Sequence, residues 1–134
     1  MNYDKVLDAQ KQLEAMFPDM LAQHYGGLEI GYGWCEIVKN ILRTIKNHED
    51  NLLRQHGPEW FGTQYHPVLV DQIKEKFGGL RFYYTGGDDY VDGVIAMAER
   101  WAECTCEVCG ERGYPRKLGW IRTLCDEHYK EIKG

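Results

Sequence analysis

The sequence contains no apolar run approaching membrane-spanning length, so no transmembrane helix is expected. Its opening residues, Met1-Asn2-Tyr3-Asp4-Lys5, lack the pattern of a signal peptide. Net charge is small: 16 Lys and Arg stand against 21 Asp and Glu, a balance of −5. This is not the strongly basic footprint of a general DNA-binding protein, and it is too mild to suggest a mimic of nucleic acid. No repeat, low-complexity tract or linker divides the 134 residues, which leaves room for one compact unit with one real core. The five cysteines are odd in number and four lie near a histidine. That argues for a reducing compartment, the cytoplasm, and for metal rather than disulfides. Signatures of catalysis are missing too. There is no zinc-protease His-Glu-x-x-His, no deaminase His-x-Glu with Pro-Cys-x-x-Cys, and no Ser or Cys nucleophile in a recognisable setting. Gly31-x-Gly33 precedes a helical pattern, but neither a full GxGxxG nor Gly-Lys-Ser/Thr follows, so it reads as a tight turn seating Trp34 on the core.

What is present is a globular composition, 43% apolar with 17 aromatic residues, and one dense ligand pattern. Cys106-Glu107-Val108-Cys109-Gly110 and Cys125-Asp126-Glu127-His128 are two ligand-x-x-ligand pairs fifteen residues apart. The spacing suits three thiolates and one imidazole around a single structural Zn²⁺. Gly110 fits a knuckle turn requiring positive φ. Arg116 to Leu124 reads as a hairpin turning near Gly119, and Asp126 to Ile132 as a helix that puts Cys125 and His128 on one side of its first turn. Cys104 offers a spare thiol that could replace Cys106. Residues 1–103 hold ten basic and sixteen acidic side chains, and residues 104–134 six and five, so three thiolates with one Zn²⁺ leave the tail near neutral.

Ahead of the tail, residues 1–103 read as an α+β body: helices over about 4–17, 34–55 and 89–103, and a β-hairpin over about 68–84. Trp34, Ile37, Val38, Ile41, Leu42 and Ile45 form the cleanest helical stripe. Cys35 within it reads as a packing residue. Lys39, Arg43, Lys46 and Arg54 read as its solvated face. His24 and Tyr25 lead into a Gly26-Gly27 loop, and Leu28 to Ile30 is a candidate short strand. In the hairpin, turning at Gly78-Gly79, Leu80, Phe82 and Tyr84 share one face and Arg81 and Tyr83 the other. Asp88 or Asp89 caps the third helix, whose buried stripe reads as Val91, Val94, Ile95, Ala98, Trp101 and Ala102 with Met97 at its edge. Residues 104–134 then form a zinc module fused to the body.

Knuckle, hairpin and helix in this order resemble the treble-clef zinc modules. They also resemble HNH nucleases, but the hairpin offers Tyr114, Arg116, Lys117, Trp120 and Arg122 and no histidine, so the nuclease chemistry is missing. The stretches Ile73-Lys74-Glu75-Lys76-Phe77-Gly78-Gly79-Leu80-Arg81-Phe82-Tyr83-Tyr84, Cys106…Cys109 and Gly119-Trp120-Ile121-Arg122-Thr123-Leu124-Cys125-Asp126-Glu127-His128 are similar to small zinc proteins of bacteriophages, prophages and bacterial genomes. The resemblance covers roughly residues 28–130 and implies a mobile-element setting. The first reading is therefore a non-enzymatic interaction protein that binds a host protein or nucleoprotein complex, counter-defence such as inhibition of a CRISPR system being one form. A second is direct nucleic-acid binding through Arg112, Arg116, Lys117, Trp120 and Arg122. A third is a small hydrolase or nuclease, with Asp88, Asp92 and His66 as candidates. Lys76, Arg81, Tyr83, Arg116, Trp120 and Arg122 are the expected binding surface, with Trp120 either exposed or plugging the seam between module and body. No membrane partner is expected.

Overall fold

The structure, a computed structural model, describes residues 3–22 and 25–134; Met1, Asn2, Gln23 and His24, the last expected in a loop, lie outside the described residues. Among the described residues, four α-helices and two small sheets make an α+β fold ending in the Cys/His tail. Helix α2 (Cys35–His56) is its axis. Trp34, Ile37, Val38, Ile41, Leu42 and Ile45 are all at most 1% exposed, and burying each such side chain is worth about 1.5–3 kcal/mol. Gly57, at φ 85, ends the helix by donating its N–H to Leu53 O at 2.8 Å. Helix α1 (Tyr3–Met16) adds Leu13, with Phe17, Met20 and Leu21 of the following turn, to the same core.

Three strands lie in the order β1 (Leu28–Glu29), β2 (Leu69–Lys76), β3 (Gly79–Thr85). The first pair is parallel, Leu28 opposite Ile73; the second is an antiparallel hairpin with Ile73 opposite Phe82 and Lys74 opposite Arg81. Its turn sits one residue earlier than expected, at Phe77-Gly78, both at positive φ (54 and 76), while Gly79 already pairs with Lys76. Val70, Ile73, Leu80 and Phe82 face the helices and are buried. Gln72, Lys74, Lys76, Arg81 and Tyr83 occupy the opposite face.

Helix α3 (Asp89–Ala102) packs on α2 and β3, burying Val91, Ile95, Ala98 and Ala102. Asp88 is the cap: its Oδ1 accepts from Val91 N at 3.1 Å, and its Oδ2 lies 2.8 Å from His48 Nε2 on α2. Trp101 is 45% exposed, against the expectation that it joins the buried stripe. The smaller Ala98 and Ala102 bring α3 against the core, and Trp101 projects from the neighbouring helix face.

Glu49 on α2 is 8% exposed and accepts from Val68 N at 2.8 Å and Tyr65 Oη at 2.7 Å, pinning the connector before β2. Burial lifts its pKa more than these hydrogen bonds and the nearby His48 lower it. A carboxyl raised on folding contributes its stability fully below the unfolded pKa, near 4.3, and loses it as pH rises through the folded value. Glu49→Gln keeps an acceptor and removes the titration. Melting temperature of the parent is therefore expected to fall relative to Glu49→Gln as pH rises above about 4.3. Parallel melting curves across that window would remove this role.

Candidate metal centre

The tail is assembled from three pieces of backbone, of which the first and the last each bring two candidate ligands by a local rule. Cys106 to Gly110 turn back on themselves: Gly110 N donates to Cys106 O at 2.9 Å, and Gly110 has φ 85. Strands β4 (Tyr114–Lys117) and β5 (Ile121–Leu124) form the hairpin, with Gly119 at φ 95 in its turn. Cys125 then caps α4 (Asp126–Lys133), its Sγ accepting from His128 N at 3.4 Å. Knuckle, hairpin and helix follow in the order that the treble-clef resemblance implies.

The ligand atoms of Cys106, Cys109, Cys125 and His128 all lie within 4.8 Å of one another. Cys109 and Cys125 Sγ are 3.8 Å apart, Cys106 Sγ and His128 Nδ1 3.8 Å, and Cys125 Sγ and His128 Nδ1 3.2 Å. A tetrahedral ion with metal–sulfur bonds of about 2.3 Å needs sulfurs about 3.8 Å apart, so the donor set fits. Glu131 Oε2 stands 3.5 Å from His128 Nε2, where it orients the ring. Burial would raise Cys106, but backbone N–H groups of Cys125, Cys109 and Val108 aimed at its sulfur bring it down to about 7. Cys109 is pushed up to about 12 by burial and by the sulfurs of Cys106 and Cys125, the mutual repulsion that a cation between them would relieve. Cys104 is outside the cluster; its Sγ lies 3.3 Å from Trp101 O.

The knuckle rests on Gly31 and Gly33. Gly33 N donates to Glu107 O at 2.9 Å, and Trp34 Nε1 to Thr105 O at 2.8 Å. A Cβ at Gly33 would stand 2.0 Å from Cys106 O, and one at Gly31 2.1 Å from Glu107 O. The Gly-x-Gly thus does more than seat Trp34: it leaves room for the backbone of the metal loop. Spacing along the chain carries no signal for that contact, because its two sides are more than seventy residues apart. Glu107, 6% exposed, accepts from Arg122 Nε at 2.9 Å and Thr123 N at 3.1 Å. Thr123 Oγ1 reaches Gly78 O at 2.6 Å, joining the module to the β2–β3 turn.

The expected binding residues divide. Arg116 is held by Asp126 at 2.7 Å and Leu124 O at 3.2 Å, with its guanidinium over Tyr129 and Tyr114. Arg122 is paired with buried Glu107. Both therefore make contacts within the module and are not free outward cations; reversing their charge would remove those contacts. Trp120 is 61% exposed and does not plug the seam. Lys76, Arg81 and Tyr83 lie on the outer sheet face, joined by Lys74. Of the third set, Asp88 caps α3, Asp92 accepts from Tyr84 Oη, and His66 is exposed on the connector.

No family model, curated protein or solved structure matches the chain. Its residues nevertheless form a four-ligand cluster that could hold a metal ion. Among the described residues, no helix is long and apolar enough to cross a membrane.

Proposed function

We propose that this protein is a non-enzymatic binding module, stapled by one structural Zn²⁺, whose outer sheet face grips an exposed strand of nucleic acid in a host nucleoprotein complex. Three thiolates and an imidazole at tetrahedral spacing suit Zn²⁺, and four protein ligands leave no open position for a catalytic water. The observation that carries the binding role is Lys74 directly opposite Arg81, with Lys76 beside them on the same face. Among the described residues none of the three forms an ion pair. Like charges directly opposite destabilise a sheet; Glu29, the β1 register partner of Lys74, offsets one of them, and Arg81 and Lys76 are left to gain from an anion outside the fold.

Aromatic groups supply the second element. Phe77 is 69% exposed although its φ of 54 is unfavourable for a side chain, a strain of about 1–2 kcal/mol without burial to offset it. The two hairpin tips meet at Gly78 and Ile121, so Phe77 and Trp120 flank one contact, and Tyr83 stands beside Arg81. Bases stack on such rings while Lys and Arg follow the phosphates. The resemblance of the sequence motifs to small phage and prophage zinc proteins is the sole ground for a setting in which this face interferes with a host assembly, a nucleic-acid-guided defence system among them.

Lys74→Glu separates binding from folding, because it exchanges one neighbour for another: the introduced carboxylate faces Arg81 on β3 favourably and Glu29 on β1 unfavourably. Melting temperature is expected to hold, the two exchanges offsetting each other, while affinity for a fluorescent 12-nucleotide dT or rU probe falls about tenfold and the salt slope drops by about 0.7. Unchanged anisotropy titrations for the variant, or no binding by the parent at low salt, would overturn the reading. So would capture of a host protein that survives both nuclease and Lys74→Glu.

A further inference from the structure

Helix α3 carries two apolar stripes; among the described residues one is buried, and the other is left half open, with Val94 half-buried and Tyr90 stacked on His48 at 4.1 Å. Val91, Ile95, Ala98 and Ala102 face the core. Tyr90, Val94, Met97 and Trp101 recur at intervals of four, three and four, the d-a-d-a spacing of a helix–helix seam. Tyr90, Met97 and Trp101 are 53%, 71% and 45% exposed. They border an apolar groove of about 540 Å³, whose other wall is Ile37, Ile41 and Thr44 of α2. Gly93 sits on this rim in mid-helix, where it costs about 1 kcal/mol relative to Ala, and a Cβ there would have nothing within 4 Å.

We infer that this seam is where two copies of the chain associate, α3 against α3, antiparallel. Antiparallel seams pair d with a positions, and about the centre of this one Val94 meets the partner's Met97 and Tyr90 meets the partner's Trp101. Two aliphatic layers thus lie between two aromatic ones. Charge fixes the direction. The helix begins with Asp88, Asp89 and Asp92 and carries Arg100 near its end. A parallel pair would set acids against acids, whereas the antiparallel pair brings Arg100 alongside the partner's acidic first turn and opposes the helix dipoles. Arg100 has only an exposed i,i+3 contact to Glu103 at 3.4 Å to give up. Gly93, across the seam from the partner's Arg100, leaves the clearance this approach requires. The seam is only about 16 Å long, at the small end of specific interfaces, so a dissociation constant of about 10 µM is expected.

Sedimentation equilibrium of the metal-loaded protein tests this, from about 1 µM to about 200 µM, a range that brackets that constant. A monomer–dimer equilibrium is expected for the parent. Met97→Glu should be monomeric throughout with metal content and melting temperature unchanged, since Met97 is exposed. Asp89→Arg and Arg100→Asp should each weaken association about tenfold, and the double exchange should restore it. A parent that stays monomeric overturns the inference and leaves the seam to a helix of another protein. A dimer that survives Met97→Glu overturns the seam, and failure of the double exchange to rescue overturns the antiparallel register.

Discussion

Removing the metal with a chelator is expected to unfold residues 104–134 and to lower the melting temperature of the whole chain by roughly 15–20 °C, as a loss of about 5 kcal/mol would. Helix α4 has eight residues and buries none of them. So short a helix does not persist in water unaided; its attachments would run through Cys125 and His128 to the ion, and run through Arg116 to Asp126. The loss does not stop there, because Trp34, the fully buried residue opening α2, bonds to Thr105 two residues before the first ligand. Metal binding here is folding energy, and it weakens as pH falls and the ligands take up protons. Cys125→Ser should reproduce the chelator's effect. Elemental analysis after reducing, chelator-free purification should find one equivalent of Zn²⁺, and hydrogen exchange should find β4, β5 and α4 losing protection first. A metal-free preparation that melts like the parent would defeat the staple.

Gly33→Ala should be nearly as damaging, although it adds only one methyl group. That carbon would lie 2.0 Å from Cys106 O and 2.6 Å from Gly110 N. Both are backbone atoms of the knuckle and cannot swing aside like the end of a side chain. Relief requires lifting the loop, which lengthens the Gly33 N to Glu107 O bond and shifts Cys106 away from its partners. A destabilisation of about 3 kcal/mol or more is expected, with metal affinity reduced in competition against a chromophoric chelator. Gly93→Ala is the control. It adds the same group where nothing lies within 4 Å and should stabilise the helix by up to about 1 kcal/mol. Gly33→Ala melting within about 0.5 kcal/mol of the parent would mean that the knuckle is not seated on this glycine.

The ligand set was legible because each pair is local: knuckle and helix start need only neighbouring residues. The α2 stripe was legible for the same reason, six apolar positions on one helical face. The turn at Phe77-Gly78 was not, since sequence preference favours glycine at positive φ and this turn places a phenylalanine there. Trp101 read as core because its spacing from Val94 and Ala98 fits a helix, but periodicity gives a helix two candidate faces and cannot say which one the body covers. Arg116 and Arg122 looked like free cations because their acceptors, Asp126 and Glu107, come from other parts of the module. In each case the missing information was a partner distant along the chain.

The hydrogen bond from Trp34 to Thr105 spans 71 positions, and this orders events in the cell. A ribosome making this protein finishes α2 long before the carbonyl that receives the Trp34 indole exists. During that interval the Trp34 indole N–H lacks its acceptor, and the residues around it are a site for chaperones to hold. With the proposed metal staple, the tail that fixes Thr105 would set only once Cys125 and His128 had emerged and taken up an ion. Zinc supply at the moment of synthesis would then govern yield, and starved cells would degrade the chain rather than store it unloaded.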